Sequence, residues 1–160
     1  DPEQCDVLGA VLKESFRLNP STALGSFRSP ATDVHTGDGA TIPAGSLVIL
    51  PTFVLHRNGQ FAQPDEWVPE RWQDRSADDG LADLLLPFSA GKRNCVGQAL
   101  ANAELTTTLA HVLSTYHFTP APGTGWEPQY FFTRKPHGAR LVVEKVSKEL
   151  THTHMCVAAL

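Results

Sequence analysis

A cysteine in the middle of the chain is the residue best placed to do chemistry. It lies in the stretch FSAGKRNCVG, residues 88–97, directly ahead of a segment with helical periodicity. Unpaired N–H groups and the positive dipole end of a helix start favour the thiolate form of Cys95, and Arg93 adds positive charge nearby. Gly91 and Gly97 allow unusual backbone torsions and the close approach of a large flat molecule. A thiolate in such a setting acts as a metal ligand or as a nucleophile.

The residues around Cys95 leave its use open. A nucleophile requires a histidine base, and no local signature places any of the seven histidines beside it. A zinc site requires further cysteine or histidine ligands at close spacing, which the neighbouring residues do not supply. The remaining interpretation is structural, because a lone cysteine often serves as a small buried hydrophobic residue.

Composition restricts the class of protein. With 160 residues and 41% apolar content, the chain is predicted to form one domain around one core. A net charge of -4 without a dense basic block argues against nucleic acid as a partner and favours small molecules. The cysteines Cys5, Cys95 and Cys156 are odd in number and widely spaced, which argues against a disulfide framework. No run approaches the ~20 apolar residues of a membrane span, and no signal-peptide pattern is present, so no membrane or targeting segment is predicted.

The hydrophobic pattern predicts the elements that position this cysteine. Apolar residues at helical spacing predict a helix over 6–18, ended by Asn19-Pro20, and a longer helix from Val96 to about Tyr116. Between them, β-prone pieces predict one small sheet, and residues 53–56 a single helical turn. The strands are expected near 32–35, 40–42 and 47–50, and further extended pieces, broken by Pro-Gly and Pro-His-Gly turns, between 120 and 146.

Residues 57 to about 90 form an irregular tract. It is longer than the ~12–15 residues at which a structureless loop becomes unusual, so it is either functional or held by specific contacts. Its large apolar residues favour specific contacts; they are Trp67, Trp72, Leu84, Leu85 and Phe88.

The helix over 6–18 carries a charged pair, Glu14 and Arg17, three residues apart. On a helical wheel Glu14 lies at the edge of the apolar arc, where an unpaired carboxylate would be costly. Arg17 can supply the partner. The alternative is an ordinary ion pair on the surface.

The loop around the cysteine has the pattern Phe-x-x-Gly-x-Arg-x-Cys-x-Gly, at Phe88, Gly91, Arg93, Cys95 and Gly97. This pattern resembles the haem-binding loop of the cytochrome P-450 (CYP) superfamily, and Ala101 and Glu104 continue the resemblance. The resemblance implies that Cys95 is the catalytic thiolate ligand of a haem iron. It also implies that Arg93 and Arg28 meet the haem propionates, and that the phenylalanine and the two glycines of the pattern lie against the cofactor.

Two further motifs extend the resemblance. The Glu14-x-x-Arg17 pair matches the Glu-x-x-Arg pair of the family's K helix, and Pro69-Glu70-Arg71-Trp72 looks like its Pro-Glu-Arg-aromatic motif. By this resemblance Arg71 joins Glu14 and Arg17 in one network, which pins the irregular tract against the first helix. The stretch Leu55-His56-Arg57-Asn58 is similar to the family's sequence ahead of Pro-Glu-Arg.

The resemblance covers about residues 6–145 and implies a fold. That fold is mainly α with small β-sheets (α+β), and the chain corresponds to the carboxy-terminal portion of a cytochrome P-450, from the K helix onward. Residues 1–146 are expected to belong to this domain, with a terminal β-hairpin, and 147–160 to form a flexible tail. The family's I helix, with its acid/alcohol pair for oxygen activation, and its amino-terminal membrane anchor are not found in these 160 residues.

The function implied by the resemblance is O2-dependent oxidation of a small apolar organic substrate. The cofactor would be haem b (iron protoporphyrin IX), with electrons from NADPH through a partner reductase. A full-length eukaryotic member would lie in the endoplasmic reticulum membrane through its amino-terminal part. Two alternatives stand beside this hypothesis: a haem-thiolate enzyme with peroxide or rearrangement chemistry, and a non-catalytic truncated remnant.

One cluster falls outside the resemblance. His152, His154 and Cys156 offer three metal-competent side chains within five residues. They lie in the expected tail, where little would hold a coordination geometry, so no metal site is predicted there.

Overall fold

The computed structural model describes residues 6–73, 80–130 and 133–146. The helices in these ranges are α1 (Asp6–Leu18), α2 (Thr52–Leu55) and α3 (Gln98–Thr115). The strands are β1 (Ser26–Arg28), β2 (Val34–His35), β3 (Thr41–Ile42), β4 (Val48–Leu50), β5 (Tyr116–Pro120), β6 (Glu127–Tyr130), β7 (Arg134–His137) and β8 (Leu141–Lys145). Short 3₁₀ turns cover Pro69–Trp72, Leu81–Leu84 and Gly91–Arg93. The α+β fold class predicted from the sequence is confirmed.

Helix α1 has the bounds that the sequence predicts. It ends ahead of Pro20 because proline has no N–H to offer the carbonyl of Phe16, four residues earlier. The side of α1 turned towards the protein interior is not purely apolar, since its buried residues are Leu8, Ala10, Glu14, Arg17 and Leu18. The helix therefore brings a charged pair into the core.

The small sheet predicted between the helices is two separate sheets. Strand β4 pairs antiparallel with β1, from Ser26 opposite Leu50 to Arg28 opposite Val48, while β2 pairs with β3. The expectation of one sheet was therefore wrong, and β1 was not predicted. A three-residue strand without a β-branched side chain gives no periodic signal in the sequence.

The carboxy-terminal strands form two nested antiparallel pairs. The outer pair, β5 with β8, encloses the inner pair, β6 with β7. The predicted Pro-His-Gly turn is wrong in its first two residues, because Pro136 and His137 belong to β7 and Gly138, with a φ of 79°, begins the turn. Proline is tolerated here because each sheet has two strands and both are edges. The boundary of the domain at 146 stays a prediction, and residues 147–160 lie outside the described ranges.

The irregular tract packs onto α1 and forms the core with it. Ala10 of α1 packs with Phe61 and Trp72 of the tract, and three leucines pack against this cluster: Leu81, Leu84 and Leu85. Trp67, expected to help hold the tract, is 47% exposed and stands outside the core. The described part of the tract is thus held by specific contacts, as predicted, although Trp67 takes no part in the core.

Helix α3 is covered far less than α1. None of its residues is buried, and Leu100 is 64% exposed. Among the described residues, no helix combines the length and the apolar character that crossing a bilayer requires. Helix α3 therefore presents apolar side chains at the surface, next to the cysteine loop that precedes it.

The turn into β1 depends on a glycine. Gly25 has a φ of 66°, and a Cβ there would lie 1.9 Å from the carbonyl oxygen of Leu50. We expect Gly25→Ala to lower the free energy of unfolding by ~3 kcal/mol or more, since it adds this clash to the cost of a positive φ. Gly39→Ala is the matched control because Gly39 also has a positive φ but nothing within 4 Å. Urea unfolding should show a loss of ~1–2 kcal/mol for the control, and equal losses would contradict this account.

Candidate functional site

The loop that carries Cys95 is closed by its own backbone. The N–H of Cys95 donates to the carbonyl of Phe88 at 2.8 Å, and the carbonyl of Cys95 accepts the N–H of Gln98, the first residue of α3, at 3.2 Å. Cys95 is a free, exposed cysteine. The loop therefore presents a thiol to the outside directly at the start of the helix, and the interpretation of Cys95 as a buried hydrophobic residue was wrong.

The two glycines of the loop serve different purposes. Gly91 has a φ of 73°, a left-handed conformation that favours glycine, while a Cβ there would meet nothing within 4 Å. A Cβ on Gly97 would lie 3.9 Å from the sulfur of Cys95, an ordinary contact distance. Gly91 is therefore required by the backbone of the loop, and Gly97 keeps the surface beside the sulfur clear.

The predicted propionate ligands lie on two elements. The Nη2 of Arg28, on β1, donates to the hydroxyl of Ser89 in the loop at 3.1 Å. Arg93 is exposed on the 3₁₀ turn ahead of Cys95. The structure thus brings Arg28 to the cysteine loop across 61 residues of sequence, and its contact with a propionate stays a prediction.

The surface beside the sulfur has the composition that a haem requires. A haem is an apolar plate with two carboxylates, and the exposed apolar side chains near Cys95 are Val96 and Leu100. The cations of Arg28 and Arg93 can bind carboxylates. The loop is also attached to α1, because the ring of Phe88 lies edge-on to that of Phe16, 5.4 Å between centroids. The residues present therefore fit a haem on this face.

The carboxylate of Glu14 is fully buried and surrounded by donors. Arg17 binds it in a fork, with Nε and Nη2 each 2.9 Å from one oxygen. The N–H of Val68 and the indole Nε1 of Trp72 donate at 2.9 Å, and Nε of Arg71 donates at 3.3 Å. The structure thus brings Glu14, Arg17 and Arg71 together as the resemblance implies, and the alternative of a surface ion pair was wrong because Glu14 and Arg17 are 0% exposed.

The two arginines of this network also hold the backbone of the irregular tract. Arg17 donates from Nη1 to the carbonyls of His56 and Pro64, and from Nη2 to that of Glu66 at 2.8 Å. Arg71 donates to two further carbonyls, those of Ala62 and Gln63. A tract with little regular structure has unpaired carbonyls. These guanidinium groups satisfy four of them, as well as the carbonyl of His56 directly ahead of the tract.

The environment of Glu14 keeps it ionised. Burial by itself would raise the pKa of this carboxyl, but hydrogen bonds from Arg17, Val68 and Trp72 and the charge of Arg17 outweigh it and lower the pKa below the ordinary 4.5. The network is therefore charged at neutral pH.

Sequence reasoning missed two residues that join the tract to α1. Arg57, noted as part of a family-like stretch, donates from Nη2 to the carbonyl of Leu18 at the end of α1, at 2.7 Å. His56 is 0% exposed, and its Nε2 accepts the N–H of Leu86 at 2.9 Å. The contact of Arg57 could have been anticipated in general terms, because the last carbonyls of a helix such as α1 need donors from outside the helix. No sequence signal indicates the burial of His56, because the helix that it follows has only one turn and is too short to show a periodic pattern of apolar residues.

A metal cluster built from protein ligands is not found in the described part of the chain, where no three His, Cys, Asp or Glu side chains converge. The sequence cluster of His152, His154 and Cys156 lies outside the described residues.

Comparison with known proteins decides the family. The family model for Cytochrome P450 matches residues 1–143. The chain belongs to the cytochrome P450 family. The matched range includes the cysteine loop and both segments of the buried carboxylate network.

Individual relatives agree with this assignment. A probable cytochrome P450 513A1 of Dictyostelium discoideum is 39% identical over 121 residues, 73% of this chain and 23% of that protein. A cyclooctat-9-en-7-ol 5-monooxygenase of Streptomyces melanosporofaciens is 36% identical over 115 residues, 71% of this chain and 25% of that protein. The chain thus spans about a quarter of the length of these relatives.

The fold is also that of a solved cytochrome P450. A crystal structure of CYP102L1 superposes with a TM-score of 0.78 at 24% identity, covering 91% of this chain and 33% of that one. At this identity the likeness concerns the fold.

Removing the charge of Glu14 tests the network. Glu14→Gln leaves the Arg17 guanidinium buried without a counter-charge, so we expect a loss of ~3–5 kcal/mol in unfolding free energy. The matched control is Asp65→Asn, which removes the partner of Arg57 from an ion pair whose aspartate is 79% exposed, with an expected loss below ~1 kcal/mol. Urea unfolding monitored by circular dichroism gives both values. A loss in Glu14→Gln no larger than in the control would contradict the network's role.

Acid should remove the same stabilisation. A carboxyl with a lowered pKa contributes stability that is fully present above its unfolded-state value of 4.5 and is lost as pH falls through the lowered pKa. We therefore expect the difference in unfolding free energy between the native chain and Glu14→Gln to shrink below pH 4.5. The other carboxyl groups are common to both proteins and cancel. A difference that stays constant from pH 7 into the acid range would show that Glu14 is not ionised in the folded chain.

Proposed function

We propose that this chain provides the haem-thiolate site of a cytochrome P450 monooxygenase. The observation that carries the proposal is the exposed thiol of Cys95, on a closed loop at the start of α3, with cationic and apolar side chains beside it. Family membership supports the same cofactor. The proposed activity is O2-dependent oxidation of a small apolar molecule, and the family's monooxygenase relatives support it.

Each residue of the site has a task in holding the cofactor. The Cys95 thiolate would ligate the iron of haem b, and Arg28 and Arg93 would bind its propionates. Val96 and Leu100 would lie against the apolar part of the porphyrin. When bound, the haem supplies O2 activation, to which a thiolate ligand contributes electron density that favours O–O cleavage. The loop keeps the Cys95 sulfur unobstructed and fixes the direction in which it points.

The remaining parts of the proposal concern partners. Electrons would come from NADPH through a reductase, and the substrate would be a small apolar organic molecule. Residues 20–28 and about 133–138 are proposed for the substrate side of the haem. In a full-length eukaryotic protein the location would be the endoplasmic reticulum membrane. Peroxide or rearrangement chemistry, and a non-catalytic remnant, have no specific observation in their favour.

Haem reconstitution tests the proposal. We expect the chain loaded with haem, reduced and exposed to CO, to show the red-shifted Soret band of a thiolate-ligated haem. Cys95→Ser should abolish this band, because serine is not deprotonated to an equivalent ligand. Absorption spectra of the reduced CO complexes provide the measurement.

The controls are the other two cysteines of the sequence. Cys5→Ser and Cys156→Ser should retain the red-shifted band, which would show that the loss in Cys95→Ser is specific. An unchanged band in Cys95→Ser would overturn the assignment of the ligand. Haem taken up without any red-shifted band would overturn the thiolate site as a whole.

A further inference from the structure

A fully buried histidine lies between α1 and the approach to the cysteine loop. His56 follows α2 and is 0% exposed. Its ring accepts the N–H of Leu86 at Nε2, 2.9 Å away. Leu86 lies two residues before Phe88, whose carbonyl closes the loop by accepting the N–H of Cys95. Only the backbone from Leu86 to Phe88 therefore separates Nε2 of His56 from the hydrogen bond that closes the cysteine loop.

The other ring nitrogen faces the end of α1. Two carbonyls there, those of Phe16 and Arg17, act on the His56 ring and favour a proton on it. The carbonyl of Phe16 has no helical donor because Pro20 occupies the position of that donor. Nδ1 itself has no hydrogen bond of ordinary geometry within the described ranges. The proton of a neutral imidazole therefore belongs on Nδ1, turned towards these carbonyls, since Nε2 is committed as an acceptor.

We propose that His56, as the neutral ring with its proton on Nδ1, is the positioning residue of the Cys95 loop, fixing Leu86 through Nε2 and releasing it when Nε2 is protonated. A protonated imidazole has two donors and no acceptor, so it cannot hold the Leu86 amide. The inference rests on the proposed function only in one respect, which is the role of the loop in presenting Cys95 to a haem iron. The hydrogen bond between His56 and Leu86 can be tested in the chain without haem.

The surroundings of His56 oppose its protonation at neutral pH. Burial is the largest cause that lowers the pKa of the ring, and the positive charges of Arg17 on α1 and Arg57 beside α2 lower it further. Each of these two arginines is paired with a carboxylate, Arg17 with Glu14 and Arg57 with Asp65. A histidine with a lowered pKa contributes stability that is complete above the unfolded value of 6.5 and is lost progressively as pH falls below it. The release of Leu86 is therefore expected on the acid side of pH 6.5.

Nuclear magnetic resonance of the 15N-labelled 160-residue chain without haem tests the proposal in the native sequence. At pH 7.5 the ring 15N shifts of His56 should report a protonated Nδ1 and an unprotonated Nε2. The Leu86 amide should be protected from hydrogen exchange at least tenfold over an unfolded chain, after correction for intrinsic pH dependence. This protection should fall together with the protonation of His56. A proton on Nε2 at pH 7.5, or an unprotected Leu86 amide, would overturn the proposal.

A pair of variants separates positioning from simple packing. The side-chain amide of Gln reaches the place of Nε2, whereas that of Asn reaches only the place of Nδ1. His56→Gln should keep the protection of the Leu86 and Cys95 amides and remove its dependence on pH below 6.5. His56→Asn should lower both protections at least tenfold at every pH, and His117→Gln, at an exposed strand position, should change neither. Equal protection in the Gln and Asn variants would contradict the role of Nε2. If His56→Asn does not fold, the pH dependence of Leu86 protection in the native chain and in His56→Gln still tests the role of Nε2.

Discussion

A carboxylate that is wholly removed from water must be surrounded by donors, and Glu14 meets this requirement with five N–H groups. Two come from Arg17 on the same helix, and the others come from Val68, Arg71 and Trp72 in the irregular tract. Because three of the five donors belong to that tract, the charge can be buried only when the tract lies against α1. Desolvation of one side chain thereby couples two segments that are more than 50 residues apart in sequence.

The same constraint extends towards the cysteine. Trp72 donates to Glu14 and also belongs to the apolar core, against which Leu84 and Leu85 pack. The next residue, Leu86, donates to His56, whose own carbonyl accepts from Arg17. The chain then enters the loop that Phe88 closes against Cys95. A continuous path of packed and hydrogen-bonded groups therefore runs from the buried carboxylate to the loop that presents the thiol.

The sequence predicted those features that depend on local pattern or on a motif with fixed spacing. The bounds of α1 followed from apolar periodicity and Pro20, and two partners of Glu14, Arg17 and Arg71, followed from family motifs. The pairing of β1 with β4 could not be predicted, because three-residue strands carry almost no periodic signal. The burial of His56 could not be predicted either, since its partners Leu86 and Arg17 are 30 and 39 residues away in the sequence. The indole of Trp72 was expected as an apolar contact, and its N–H became a donor to Glu14 only through the tertiary arrangement.

The proposed role of this fold is to hold the Cys95 sulfur at the iron of a haem. X-ray absorption at the iron edge of the haem-loaded chain tests it most directly, because the scattering identifies the atoms bound to the metal. The account predicts one sulfur neighbour at bonding distance in the native chain and none in Cys95→Ser. An iron surrounded by nitrogen and oxygen neighbours alone in the native chain would contradict it.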